Sequence, residues 1–159
     1  MPIFKHPCAL SEINKVVKSI KKENDRNHII GAYSLGKAQR IINLLRQCNY
    51  ENPIYVHGSI EKISNYYISK KVKLGKLIKV DKDNAKGLKG KIIITPPATL
   101  YDSWSRKFTN IKICYASGWM HIKQRVKQKL VELPLVISDH ADWNELTNTI
   151  IASEAEEVL

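Results

Sequence analysis

Residues 28–37 read HIIGAYSLGK, an apolar run that passes through a serine–glycine turn to a lysine. Residues 28–33 are typical of a buried β-strand, and residues 38–45 carry apolar side chains at helical spacing. The same succession of short strand, turn and amphipathic helix recurs along the chain. It predicts the α/β fold class, with a mostly parallel sheet, helices on both faces and Rossmann-like layering.

The remaining elements follow from the same patterns. Further strands are predicted at 53–57, 77–80, 91–95, 112–116 and 135–138. Further helices are predicted after Ser11 as an N-cap, from Gly58 through Tyr67, from Ala98 to Lys107, and from the N-cap Asp142 through Ser153. Residues 70–91 contain nine lysines and predict a solvated basic connection, while residues 157–159 resemble the start of another strand.

The charge of the chain points to an anionic partner. The 159 residues carry 26 Lys and Arg against 15 Asp and Glu, a formal net charge of +11. Residues 1–130 hold all 26 basic residues and 8 acids, whereas residues 131–159 hold 7 acids and no Lys or Arg. Nucleic acid, DNA or RNA, is the leading candidate partner. The alternative is a lysine-biased composition without a binding site, since 21 of the 26 basic residues are lysine.

Cysteine content and hydropathy predict the compartment. The chain has three cysteines without metal-ligand spacing, which indicates reduced thiols. It has no apolar run long enough to span a membrane and no secretory signal after Met1. We therefore expect a cytoplasmic protein with no membrane partner.

Ligands of parallel sheets meet the loops at the carboxyl ends of the strands. One such loop contains Ser34 and Gly36, whose backbone N–H groups would accept a phosphate beside the countercharges of Lys37 and Arg40. The alternative is a tight helix start in which Gly36 only avoids a clash. Another loop, 117–119, leaves Trp119 in a glycine turn, open to a ligand; most other aromatic residues, including the pair Tyr66 and Tyr67, are expected in the core.

Asp139, His140 and Asp142 form the densest cluster of chemistry-bearing residues. An imidazole flanked by carboxylates ligates a metal or moves protons. The alternative is structural, because Asp142 suits a helix cap and one histidine does not make a zinc site. His57 and His121 would have to join the cluster in space, while His6 and His28 are assigned to packing or the surface.

Four segments in order carry a family resemblance: AYSLGKAQR at 32–40, VHG at 56–58, ASGWM at 116–120 and SDHADW at 138–143. Together they resemble the bacterial ligase-associated DNA exonucleases, also described as mRNA 3′-end processing factor-like exonucleases. These are β-CASP members of the metallo-β-lactamase nucleases. The resemblance covers nearly the whole chain.

The resemblance implies a DNA-repair exonuclease, a hydrolase in which two zinc ions activate water against a phosphodiester. One β-CASP histidine of the family falls on His140, which is therefore a metal-ligand candidate, with Asp139 and Asp142 as weaker catalytic candidates. The matching loops make up the nucleic-acid-binding candidates: Ser34, Gly36, Lys37, Arg40, His57, Ser117, Gly118 and Trp119.

The chain also departs from the family pattern. No His-x-His-x-Asp-His motif occurs in its 159 residues, and the other two β-CASP ligand positions would fall before residue 2 and after residue 159. We therefore expect one β-CASP-like domain over 1–159, with a return segment over about 131–159 and without the metallo-β-lactamase core. It would bind nucleic acid but neither retain zinc nor cleave by itself.

Two alternative hypotheses remain. The chain is an active nuclease only with a separate β-lactamase-core chain, or it is a degenerate fragment without activity. Further expected partners are the DNA ligase and the helicase of the same system.

Overall fold

The computed structural model describes residues 4–154 and residue 157. Within this part of the chain the strands are β1 (Asn27–Gly31), β2 (Ile54–Val56), β3 (Leu77–Lys79), β4 (Ile92–Thr95), β5 (Ile111–Ala116) and β6 (Leu133–Leu135). The α-helices are α1 (Ala9–Lys22), α2 (Lys37–Gln47), α3 (Gly58–Ser69), α4 (Lys82–Ala85), α5 (Lys123–Gln128) and α6 (Trp143–Ala152). Short 3₁₀ helices cover Pro97–Leu100, Ser105–Lys107 and Gly118–His121.

The strands form one sheet in the order β3–β2–β4–β1–β5–β6, and every neighbouring pair is parallel. The chain moves outward from β1 to β2 and β3, returns to insert β4 beside β1, and then continues to β5 and β6 on the other side. The predicted α/β class with a parallel sheet is confirmed.

Both faces of the sheet are covered, as the prediction required. On one face Ile30, Ile92 and Ile94 pack in a cluster with apolar residues of α1, α2 and α3. On the other face Ile29 and Ile93 pack with residues of α4, the 3₁₀ helices and the segment before β6. Successive strand residues point to opposite faces, so the apolar run at 28–31 serves both clusters.

Two predicted helices differ from the structure. α1 begins at Ala9 rather than after Ser11, and the Ser11 hydroxyl lies within the first turn, where it donates to the Cys8 carbonyl oxygen. The helix predicted at 98–107 is replaced by two 3₁₀ turns. There the Asp102 carboxylate accepts the Trp104 N–H, and the Ser105 hydroxyl donates to the Asp102 carbonyl, so local side-chain bonds compete with helical ones.

The strand predicted at 135–138 instead ends at Leu135. The next N–H, that of Val136, donates to the buried Glu12 carboxylate of α1 at 2.9 Å and therefore leaves the sheet. The basic connection at 70–91 contains the expected short strand and also α4, which Asp81 caps.

Two further predictions concern exposure and the chain end. Tyr66, expected in the core, is 63% exposed. The strand predicted at 157–159 lies outside the described residues apart from Glu157. In the part of the chain that the structure describes, no helix is both long and apolar enough to cross a membrane.

His28 connects α1 to the first strand and is fully buried. Its Nε2 lies 2.8 Å from the Ser19 hydroxyl, and its Nδ1 lies 3.2 Å from the Arg26 carbonyl oxygen. These contacts suit a neutral ring that donates from Nδ1 and accepts at Nε2. Burial lowers the pKa of His28 below its ordinary value.

We expect the free energy of unfolding to fall as the pH drops below about 6.5, the ordinary histidine pKa, because the unfolded chain then binds a proton that the folded chain does not. The contribution of His28 has a slope of at most about 1.4 kcal/mol per pH unit. Urea unfolding of His28→Gln between pH 7 and pH 5 should lack this slope. The exposed His140→Gln variant is the control and should keep it. Equal slopes in parent and His28→Gln would contradict this role.

Candidate nucleic-acid interface

The carboxyl end of the sheet opens between β1 and β5. The two strands are neighbours, but the chain leaves β1 towards β2 and leaves β5 towards β6, so the two loops diverge. A crevice at such a reversal is the usual ligand position in parallel sheets. Here it is a cleft of about 300 Å³, lined by Phe4, His6, Tyr33, Lys37, Ser117, Gly118, Trp119, Ser138, His140 and Ala141.

The cleft contains a buried cation. Lys37, the first residue of α2, is only 4% exposed. Its Nζ lies 3.6 Å from the Asp139 carboxylate and 5.2 Å from the centre of the Tyr33 ring. Burial of a lysine side chain is costly without an ionic partner, and Asp139 is that partner.

Asp139 also pairs with Arg40. The Arg40 Nη1 lies 3.6 Å from the other Asp139 oxygen and donates to the Ser138 carbonyl oxygen at 2.5 Å. Three of the predicted site residues therefore form one ionic cluster. Within it Asp139 acts as a counter-ion to two cations, which is a different role from the catalytic one predicted for it.

The loop after β1 is closed by its own hydrogen bonds. The Gly36 N–H donates to the Gln39 side chain, and the N–H groups of Lys37 and Ala38 donate to Leu35 and Tyr33 carbonyls. Gly36 has φ +78°, a left-handed conformation that favours glycine. Because these backbone N–H groups already have hydrogen-bond partners, an anion at this loop would be bound by the side chains of α2.

Ser34, Gly36 and His57 do not line the cleft. The Ser34 hydroxyl lies 3.0 Å from that of Ser59, and His57 caps α3 by accepting the Ser59 N–H at Nδ1. The His57 ring meets Trp104 edge-on at 5.0 Å. Burial, and secondarily the charge of Lys107, lowers the pKa of His57. His57 therefore lies at the carboxyl end of β2, and Ser34 and Gly36 lie in the loop after β1 but outside the cleft.

The loop after β5 presents Trp119 to the cleft. Ser117 caps the 3₁₀ helix by accepting the Trp119 N–H. A Cβ on Gly118 would lie 3.2 Å from Ser138 and 3.4 Å from the His6 ring, so three chain segments meet there. The Trp119 ring is 55% exposed.

The N-terminal segment also lines the cleft, which the sequence pattern does not predict. His6 lines the cleft, and its ring stacks on that of His121 with the centres 6.3 Å apart. The backbone N–H of His6 donates to the Asp142 carboxylate at 2.8 Å. Phe4 contacts Trp119 edge-on at 5.7 Å. Both residues are held at the cleft by contacts with residues more than a hundred positions away in the sequence. A single sequence does not show which distant residues are in contact.

Asp142 and His140 have different surroundings. One Asp142 oxygen accepts the Glu145 N–H and caps α6, and the other accepts the His6 N–H. These backbone donors lower the pKa of Asp142, with Glu145 first. His140 is exposed on the cleft wall, where its own N–H donates to the Ser138 hydroxyl.

The donor set does not fit the zinc site that the family resemblance implies. Both carboxylates next to His140 are committed, Asp139 to two cations and Asp142 to backbone N–H groups. Among residues 4–154 and 157, no three His, Cys, Asp or Glu side chains are grouped as ligands of a metal ion. These side chains therefore support no metal-dependent step by themselves.

Comparison with known proteins is sparse. No protein-family model matches the chain. A "Probable DNA ligase" from Opitutus terrae is 21% identical over 131 residues, which cover 82% of this chain. The match covers 12% of the length of the ligase. A match of this extent does not assign the chain to a family.

Asp142 holds two chain segments at once, so its loss should be structural. We expect Asp142→Ala to lower the Tm by about 2–4 °C, because a helix cap is lost. Asp142→Asn should lose less, since its amide oxygen still accepts one N–H. Thermal unfolding measures both, with the exposed Asn144→Ala as control. An unchanged Tm in Asp142→Ala would contradict the structural role.

Proposed function

We propose that this chain binds DNA or RNA as the β-CASP-like part of a zinc-dependent exonuclease in the cytoplasm, and that it does not hydrolyse phosphodiesters by itself. The observation that carries the proposal is the cleft at the carboxyl end of the sheet. There a buried lysine, the exposed imidazole of His140 and an exposed tryptophan share one opening. Cationic and aromatic groups together are what single-stranded nucleic acids bind.

The exposed lysines of the chain support this proposal. The lysines at 70–89 and at 123–129 are exposed. In the ranges 4–154 and 157, none of them pairs with a carboxylate. Unpaired cations release counter-ions when they meet phosphates, which favours binding at low salt. The name of the ligase relative also supports a role connected with DNA.

Hydrolysis needs groups that the described residues do not bring together. The family resemblance implies two zinc ions, and we propose that a metallo-β-lactamase core binds them, with this chain holding the strand. His140 would then face that core from the cleft wall. Because the exonucleases that the chain resembles are ligase-associated, we propose a DNA ligase and a helicase of the same system as further partners.

One feature favours an active assembly with a separate core chain as the second candidate function. Trp143, Leu146 and Ile150 recur at helical spacing along α6, and all three side chains are exposed. An apolar helix face open to water is typical of a surface that another protein covers. We propose the metallo-β-lactamase core as that protein.

Binding should weaken steeply with salt. Fluorescence anisotropy of a labelled single strand at 25–200 mM salt should give a log–log slope of about −0.7 for each phosphate contacted. Lys123→Gln/Lys127→Gln on α5 should make that slope shallower by about 1.4, since two contacts are lost. Lys18→Gln/Lys21→Gln on α1 is the control with equal charge change and should have little effect.

Two results would count against the proposal. One is the absence of binding at the lowest salt. The other is equal weakening by the two double variants, which would reduce binding to the general charge of a lysine-rich chain.

Asp139 competes with phosphate for Lys37 and Arg40, so its removal should strengthen binding. We expect Asp139→Asn to tighten single-strand binding by about three- to tenfold at low salt, because two cations lose their shared counter-ion. Asp25→Asn makes the same charge change at the amino end of the sheet and should have little effect. Unchanged or weaker binding by Asp139→Asn would show that the ionic cluster is not part of the binding site.

A further inference from the structure

We infer that the cleft between the loops after β1 and β5 takes one unpaired nucleotide of a single strand. Its base stacks on Trp119, and its phosphate lies beside Lys37. This inference rests on the proposed nucleic-acid binding and names the form of nucleic acid that the cleft selects. Single strands, rather than duplex, are its substrate class.

Trp119 is fixed in place and yet open. The Arg125 guanidinium lies 5.5 Å from the centre of the Trp119 ring, over one face, and Phe4 meets the ring edge-on. More than half of the side chain remains exposed, and it lines the cleft. A ring that is held by two neighbours and still presents open surface is prepared for stacking, because little side-chain freedom is lost on binding.

The other wall supplies a second aromatic residue and the charge. Tyr33 is 61% exposed, and the Lys37 ammonium lies over its ring, 5.2 Å from the ring centre. Lys37 itself is buried, so its charge is directed at the cleft rather than at bulk water. A phosphate that replaces the Asp139 carboxylate beside Lys37 keeps that buried charge paired.

Smaller polar groups lie between the two walls. Ser117, Ser138 and His140 line the same cleft, and their hydroxyl and imidazole groups suit a sugar or a phosphate. The volume of about 300 Å³ is at the lower end of ligand pockets and leaves room for one nucleotide. A base inside a duplex is stacked on both faces and paired, so it does not enter such a cleft.

Small ligands separate the stacking from the charge. Isothermal titration should show deoxyadenosine 5′-monophosphate binding about tenfold more tightly than deoxyribose 5-phosphate, because only the former carries a base. Trp119→Ala should abolish that preference and leave the affinity for deoxyribose 5-phosphate unchanged, which also shows that the variant is folded. Trp119→Phe keeps a ring and should retain part of the preference.

Matched variants test the two walls with oligonucleotides. Trp119→Ala and Tyr33→Ala should each weaken binding of a single strand by about five- to tenfold. Binding of a blunt duplex through surface lysines should stay unchanged. Tyr66→Ala is the control. Tyr66 is 63% exposed on α3, has Lys70 over its ring at 5.5 Å and lies outside the cleft.

The outcomes distinguish this inference from the proposed function. Equal affinity for the two small phosphates, or equal effects of cleft and control variants, overturns the nucleotide cleft while salt-dependent strand binding leaves the proposed function standing. If no strand binds at the lowest salt, both are wrong. A base preference that Trp119→Ala removes supports the inference.

Discussion

Strand β1 lies between two other strands and under helices on both faces, so every residue from Asn27 to Gly31 is buried. Because β1 is enclosed, the residues at both of its ends are constrained by their neighbours. A Cβ on Gly31 would lie 2.3 Å from the Leu100 side chain. At the other end the buried Asn27 side chain donates to the Leu88 and Thr109 carbonyls and accepts the Lys91 N–H. Burial of β1 thereby holds the loops before β4 and β5 in place.

The position of β1 also creates the cleft. Because the chain passes from β1 to β2 on one side and from β5 to β6 on the other, the loops after β1 and β5 separate at the carboxyl end of the sheet. α2 begins at this opening with Lys37, and the loop after β6 brings Asp139 against it. A chain with a net charge of +11 thus keeps an ionic cluster of two cations and one carboxylate at the place where we propose a phosphate enters. Desolvation makes an unpaired lysine there costly, and exchange of one anion for another avoids that cost.

Most of the fold could be predicted because its strands are short apolar runs with no competing interpretation. The predicted helices and strands whose bounds differ from the structure lie where side chains hydrogen-bond the backbone. Asp102 divides a predicted helix into two turns, and Glu12 takes the N–H of Val136 and ends β6 early. Such bonds depend on which segments meet, and periodicity does not report that. The candidate site divides similarly: residues on strand-end loops were predictable, whereas His6 and Phe4 arrive from the chain start through contacts with Asp142 and Trp119.

The sequence by itself determined the alternation of strands and helices, the parallel sheet that this alternation requires, and the basic excess of residues 1–130. It also placed Lys37, Trp119, Asp139 and His140 on loops at one edge of that sheet. Only the tertiary structure decided that Asp139 pairs with both Lys37 and Arg40, that Asp142 holds the N-terminal segment, and that His57 lies outside the cleft. The physical reason is that ion pairs and caps depend on distances of a few ångströms between residues far apart in sequence. Those distances are set by the order of strands in the sheet, which hydrophobic periodicity does not specify.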